Sequence, residues 1–138
     1  MNKIEKIRFG EKINEQNVLA DAPLFGKWEE TSKDYFSNPN IIEELYSLFE
    51  ASNPSLPNSI KIIDIGSAGG LVGEHFRSKL MKNASVQLSI LDIVKGHLDK
   101  NTNENTEKIH QDVLTFDREN SFNLGICRSV IHYFSKEG

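Results

Sequence analysis

The segment that most restricts the fold is Ile60-Lys61-Ile62-Ile63-Asp64-Ile65, which runs directly into Gly66-Ser67-Ala68-Gly69-Gly70. A short run so rich in β-branched residues reads as a buried strand, and the glycines stop it. Beyond them Val72, Phe76 and Leu80 recur every fourth residue within Leu71–Met81, the period of a helix lying on an apolar surface. Val86–Ile93 reads as a second strand and Val94–Lys100 as a short helix. Residues 101–108 form a polar connection, Ile109–Leu114 a third strand and Phe122–Cys127 a fourth. Strand, helix, strand, helix, strand predicts parallel βαβ units with right-handed crossovers, hence an α/β open parallel sheet with flanking helices.

Residues 1–59 read as an N-terminal helical arm and linker, and residues 60–138 as the sheet-forming unit. In the arm, Phe9, Leu24, Phe25, Trp28, Tyr35 and Phe36 are irregularly spaced. Trp28, Tyr35 and Phe36 either form an aromatic lid over a ligand or pack the arm onto the sheet. Asn40 is placed to cap a helix with Glu43 three residues on, and Ile41, Leu45, Leu48 and Phe49 then share a face. Pro54 and Pro57 end that helix.

Charge and cysteine content remove several function classes. Residues 1–59 carry 6 Lys/Arg against 10 Asp/Glu, and residues 60–138 carry 10 of each, so no basic cluster is available for a nucleic-acid backbone. The first residues are charged throughout, unlike a secretory signal, and no run approaches the roughly 18 apolar residues of a membrane span. The one cysteine, Cys127, excludes an internal disulfide and fits a reducing compartment, so a soluble, cytoplasmic chain is expected. Cys127 itself is expected to be a small buried residue. His75, His97 and His110 show no metal-ligand spacing, and no metal site is read.

Ligands of a parallel open sheet bind beyond the carboxyl ends of its strands, next to the point where strand order reverses. Three acids fall at three successive strand ends: Asp64, Asp92 and Asp112. Asp64, inside the glycine turn, would repel a pyrophosphate and suits an ammonium group. Asp92 can accept from two ribose hydroxyls, and Asp112 from an exocyclic amine such as that of adenine. Together they describe a pocket for an adenosine with a cationic or amino-acid tail. Each has a plainer alternative: a tight turn without a ligand, a helix-capping acid, a strand-end residue.

Asp64-Ile65-Gly66-Ser67-Ala68-Gly69-Gly70, then Leu91-Asp92-Ile93, then Gln111-Asp112-Val113, then the stretch from Phe122 through Phe134, resembles the class I S-adenosylmethionine-dependent methyltransferases. The resemblance spans about residues 41–135 and implies a Rossmann-like sheet with S-adenosylmethionine as cofactor. It implies that Asp64, Gly66, Ser67, Ala68 and Gly70 wrap the methionine part. Asp92 would hold the ribose with Ile93 beside the adenine, Asp112 and Val113 would meet the adenine edge, and Cys127 and Arg128 would lie near the methionine amino group. Ala68 stands where many members have glycine, and Asn123 where an aspartate is common. The family's sheet has seven strands, and the stretch to Gly138 accounts for four. The expectation is therefore the cofactor-binding part of such an enzyme, with a fourth strand whose Leu124, Ile126 and Val130 form a bare apolar edge that self-associates.

His132, with Tyr133, follows the fourth strand and is a candidate general base; a packed His-Tyr-Phe turn is the alternative. No Asn/Asp-Pro-Pro-aromatic motif follows that strand, so the expected acceptor is a small molecule rather than DNA or a protein glutamine. A nicotinamide-dependent oxidoreductase is the competing enzyme class. Its G-x-G-x-x-G fingerprint needs glycine at positions 66, 68 and 71, and only Gly66 complies. A non-catalytic cofactor-binding scaffold is the third reading.

Overall fold

Strand β1 (Ser59–Ile65) occupies the middle of a parallel sheet, because it alternates apolar side chains to both faces and has neighbours on both edges. The computed structural model describes residues 38–127 together with Gln16 and Leu19. Phe9, Leu24, Phe25, Trp28, Tyr35 and Phe36 of the arm, and Arg128, Val130, His132 and Tyr133, lie outside the described residues. The other elements are helix α1 (Pro39–Ser52), helix α2 (Leu71–Leu80), strand β2 (Ser85–Asp92), a single-turn helix α3 (Lys95–Leu98), strand β3 (Thr106–His110), a 3-10 turn (Val113–Thr115) and strand β4 (Leu124–Cys127). The strand order is β3-β2-β1-β4, all parallel, so the direction of winding reverses between β1 and β4. The expected open parallel α/β sheet is what the chain forms.

Side-chain alternation sorts the sheet into two faces. On one face Ile60, Ile62, Leu88, Ile90 and Ile126 pack with Phe76 and Leu80 of α2, Leu98 of α3 and Tyr46 of α1. Ile62, Leu88 and Ile90 are almost wholly removed from water, which is worth about 1.5–3 kcal/mol for each side chain. On the other face Ile63, Leu91 and Ile109 are covered by Ile65, Val113, Phe116 and Phe122 from the strand ends and the β3–β4 connection. The sheet is thus covered by helices on one face and by an aromatic-bearing loop on the other.

Helix α1 begins earlier than the sequence pattern suggests. Asn38, not Asn40, is the cap, accepting from the Asn40 N–H at 2.9 Å, and Pro39 takes the first helical position. Proline suits that position because its missing N–H would have no intrahelical partner there. Glu43 consequently does not close a capping box; its carboxylate reaches His75 at 2.8 Å and Lys79 at 3.1 Å on α2. The Lys79 hydrogen bond, with the smaller contribution of His75, holds the Glu43 carboxyl below its ordinary value. The buried face follows Ile42 and Tyr46, flanked by Leu45 and Phe49, and leaves Leu48 exposed. The Tyr46 ring meets Phe76 edge-on, 5.2 Å between centroids, and fixes α1 on α2.

Two strand boundaries also differ. β3 starts at Thr106, inside the stretch expected to be a polar connection, and ends before Asp112. Thr106 and Ile109 are its buried residues; as an outer strand of this sheet β3 tolerates the charged Glu107 and Lys108 between them. Leu124 and Ile126 do not form a bare apolar edge, since Ile126 is buried and Leu124 half-buried. Side chains stand perpendicular to a sheet, so an outer strand exposes its backbone edge while its apolar residues stay under the helices. Asn123 lengthens the β1–β4 ladder: its side-chain oxygen accepts from the Lys61 N–H and its own N–H donates to the Lys61 carbonyl, both at 2.8 Å.

Truncating the ring that joins α1 to the sheet unit should be costly. Tyr46→Ala is expected to lower stability by about 3 kcal/mol, the usual cost of removing a buried aromatic, read as a shift in the urea unfolding midpoint. An unchanged midpoint would show that α1 contributes nothing to the core.

Candidate functional site

The strand order reverses between β1 and β4, and beside such a reversal an open α/β sheet receives its ligand, in the crevice beyond the carboxyl ends of the strands. The Gly66–Gly70 loop leaves β1 at that end. Gly66, Ala68 and Gly70 all have left-handed backbone, with φ of 63°, 51° and 78°. These turns let the chain reverse between β1 and α2 in five residues. At Gly70 a side chain is excluded twice over: a Cβ would also sit 2.7 Å from the Ile90 side chain. Ala68 bears the same backbone with a Cβ, a conformation that costs an L-residue about 1–2 kcal/mol.

The three acids do different things. Asp64 shares the helix-covered face of β1 with Ile62, so its carboxylate is buried beneath α2 and accepts from the Gly73 N–H at 3.0 Å. It thereby satisfies one of the free amides in the first turn of that helix and places its charge at the positive helix end. Gly73 has to be glycine-sized, since a Cβ would come within 2.8 Å of Leu88 and 3.0 Å of the same Asp64 oxygen.

Asp92, at the tip of β2, is also buried. One carboxylate oxygen accepts from the Ala68 N–H at 2.9 Å and the other from the Val94 N–H at 2.8 Å. The Asp92 carboxylate therefore bolts the glycine loop to the β2 tip. Each oxygen retains acceptor capacity beyond one bond, and the loop amides of Gly66 and Ser67 are held by the Leu91 carbonyl alongside. The His97 ring lies 3.7 Å from one Asp92 oxygen, an ion-pair distance rather than a hydrogen bond. Ile93, half-buried, follows directly, and its carbonyl is held by His110 Nε2 at 3.0 Å.

Asp112 lies two residues beyond β3 rather than within a strand, because the ladder ends at His110. Its side chain accepts from the Leu114 N–H at 3.0 Å and caps the 3-10 turn, with Val113 half-buried beside it. Cys127 pairs in register with Ile65 at the mouth of the crevice. It is exposed, not buried as expected, on the outermost of the described strands, at the face opposite α2. Its thiol is nevertheless pushed up in pKa, first by partial desolvation and then by the Asp64 charge. Of the candidate residues, Asp64, Asp92 and Cys127 lie in strands β1, β2 and β4, Gly66, Ser67, Ala68 and Gly70 in the loop, Ile93 just after β2, and Asp112 and Val113 in the turn beyond β3. Arg128 and His132 lie outside the described residues.

Asn101 was not legible as a site-supporting residue. Its side-chain amide donates to the Gly69 carbonyl at 3.0 Å, reaching the loop from the far end of α3. The only trace in the sequence is its place in an Asn-rich stretch, where such side chains form local turns; the long-range bond could not be inferred.

No family model matches the sequence, and no curated protein matches it. Solved structures do resemble the fold. A Methanococcus maripaludis protein with an inferred S-adenosyl-L-methionine-dependent methyltransferase activity superposes with a TM-score of 0.58 at 17% identity, over 83% of this chain and 52% of its own. The plantazolicin methyltransferase BpumL, solved with a pentazolic desmethylPZN analog and SAH (S-adenosylhomocysteine), superposes with a TM-score of 0.52 at 17% identity, over 80% of this chain and 43% of its own. The chain thus spans about half the length of these structures or less.

The two left-handed positions give opposite expectations. Gly70→Ala should destabilise by about 2–3 kcal/mol through backbone strain and the Ile90 overlap. Ala68→Gly should instead stabilise by about 0.5 kcal/mol, because relief of strain exceeds the entropy glycine loses. Thermal melts of the two variants check both signs, and a stabilising Gly70→Ala would contradict the loop geometry. The described residues share their fold, a parallel sheet with flanking helices, with these methyltransferase structures.

Proposed function

We propose that residues 60–138 are the cofactor-binding part of an S-adenosylmethionine-dependent methyltransferase, with residues 1–59 as an arm and linker. One observation carries the choice of cofactor. The Gly73 N–H of the first turn of α2, where a dinucleotide fold meets pyrophosphate, is already occupied by the chain's own Asp64 carboxylate. A second negative group there would be repelled. The remaining acids suit a ligand with no phosphate: Asp92 for ribose hydroxyls, Asp112 with Val113 for the adenine edge, and the Gly66–Gly70 loop for the amino-acid tail. Ile93 borders the adenine, and Cys127, followed by Arg128, borders the tail.

When bound, S-adenosylmethionine supplies a sulfonium methyl group open to attack by a nucleophile. The protein's part is then to align the acceptor and exclude competing nucleophiles. His132 is the residue proposed to take a proton from the acceptor. The acceptor proposed is a small molecule, given the lack of basic clusters for nucleic acid. Among the described residues no helix is long and apolar enough to cross a membrane; a cytoplasmic location is proposed.

The 138-residue chain should gain thermal stability from S-adenosylhomocysteine and none from NAD. Asp92→Asn should weaken the first ligand about tenfold or more, as expected for loss of charged acceptor bonds. Stabilisation by NAD alone would sink the reading.

The backbone edge of β4, outermost among the described strands, is further proposed to pair with a second copy. Sedimentation velocity should show mass rising with concentration; a monomer throughout would remove that proposal.

A further inference from the structure

The loop is held from two sides, and only one of them involves the acids. Gly69 lies between two left-handed residues, Ala68 and Gly70. The peptide joining Gly69 to Gly70 is fixed at both ends: the Gly70 N–H donates to the Ser67 carbonyl at 2.9 Å, and the Gly69 carbonyl accepts from Asn101 at 3.0 Å. A peptide between glycines has little steric resistance to flipping, so these bonds decide its orientation.

Asn101 is itself immobilised. Its Nδ2 also donates to Glu74 Oε1 at 3.0 Å, and its Oδ1 accepts from the Asn103 N–H at 2.9 Å. Turning the amide over would set its oxygen against the Gly69 carbonyl and the Glu74 carboxylate, so one orientation is enforced. Glu74 is anchored in turn by Arg77 on its own helix, by Asn103, and by the hydroxyl of Thr106 at the start of β3. These partners connect α2, the α3–β3 connection and β3 to a single carbonyl of the loop.

We propose that Asn101 is a positioning residue for the cofactor loop, holding the Gly69–Gly70 peptide in the orientation that receives the amino-acid end of S-adenosylmethionine. The inference rests on the methyltransferase reading for its ligand, but not for the locking of the loop. Asp92 and Asp112, which face the nucleoside, are not attached to Asn101. Its loss should therefore be felt by the tail and not by the adenosine.

The test uses the 138-residue chain, with amide hydrogen exchange in the ligand-free state and calorimetric binding of S-adenosylhomocysteine and of adenosine. Asn101→Ala should speed exchange at Gly70 about tenfold, the scale of one lost hydrogen bond, while Ile62 and Ile90 in the strands keep their rates. It should weaken S-adenosylhomocysteine about tenfold and leave adenosine unchanged. Asn103→Ala removes a neighbour in the same network that does not touch the loop, and should change neither readout at Gly70 nor the ratio of the two affinities. Should Asn101→Ala fail to fold, Asn101→Ser keeps a polar group at the position while being too short to reach the Gly69 carbonyl, with the same expectations.

Unchanged Gly70 exchange, or equal losses for both ligands, overturns the proposal. If the unaltered chain binds neither ligand, the methyltransferase reading and the ligand half of this inference both fall. The exchange rates still decide whether Asn101 locks the loop.

Discussion

The Asp92 carboxylate joins the two parts of the molecule on which the crevice depends, the tip of β2 and the loop that leaves β1. Its two oxygens take backbone N–H groups from Ala68 and Val94 in a buried setting. A buried carboxylate is tolerable only with such partners, and the same burial makes each bond stronger than it would be in water. Breaking the arrangement would leave a charge unsatisfied and release both the loop and the first residues after β2. The Leu91 carbonyl, receiving Gly66 and Ser67, completes the seam between these segments.

This gives the acids at the strand tips two tasks. Asp64 and Asp92 hold backbone amides of the chain, and Asp112 holds the turn after β3. An acid that braces backbone is already oriented before a ligand arrives, so less ordering remains to be done on binding. Asp64 goes furthest in this direction, since it lies beneath α2 and neutralises the helix end that would otherwise attract an anion. Its position in the middle of the sheet also lifts the Cys127 thiol pKa across the β1–β4 pairing.

Much of this was legible because buried parallel strands and amphipathic helices write their period into the chain. Ile60–Ile65 and Val72, Phe76 and Leu80 lie in the elements their spacing implies. The exceptions share a cause. Thr106–His110 looks polar because this outer strand buries only Thr106 and Ile109, and the start of α1 is decided by the conformational preference of Pro39 rather than by the Asn40–Glu43 pair. Cys127 looks like a core residue by type, yet which face it occupies depends on register with Ile65, which no local pattern specifies.

The sequence by itself determined a parallel α/β unit, a glycine turn after its first strand, and an acid in or just after each of its first three strands. Those follow from local sterics and hydrophobic period, which act over a few residues. Only the tertiary structure decided that strand order reverses between β1 and β4, that Asp64 faces inward to α2 while Asp92 clamps the loop, and that Asn101 closes on Gly69 from 32 residues away. These are contacts between elements distant along the chain. They exist only once packing has set the distances over which a hydrogen bond can form.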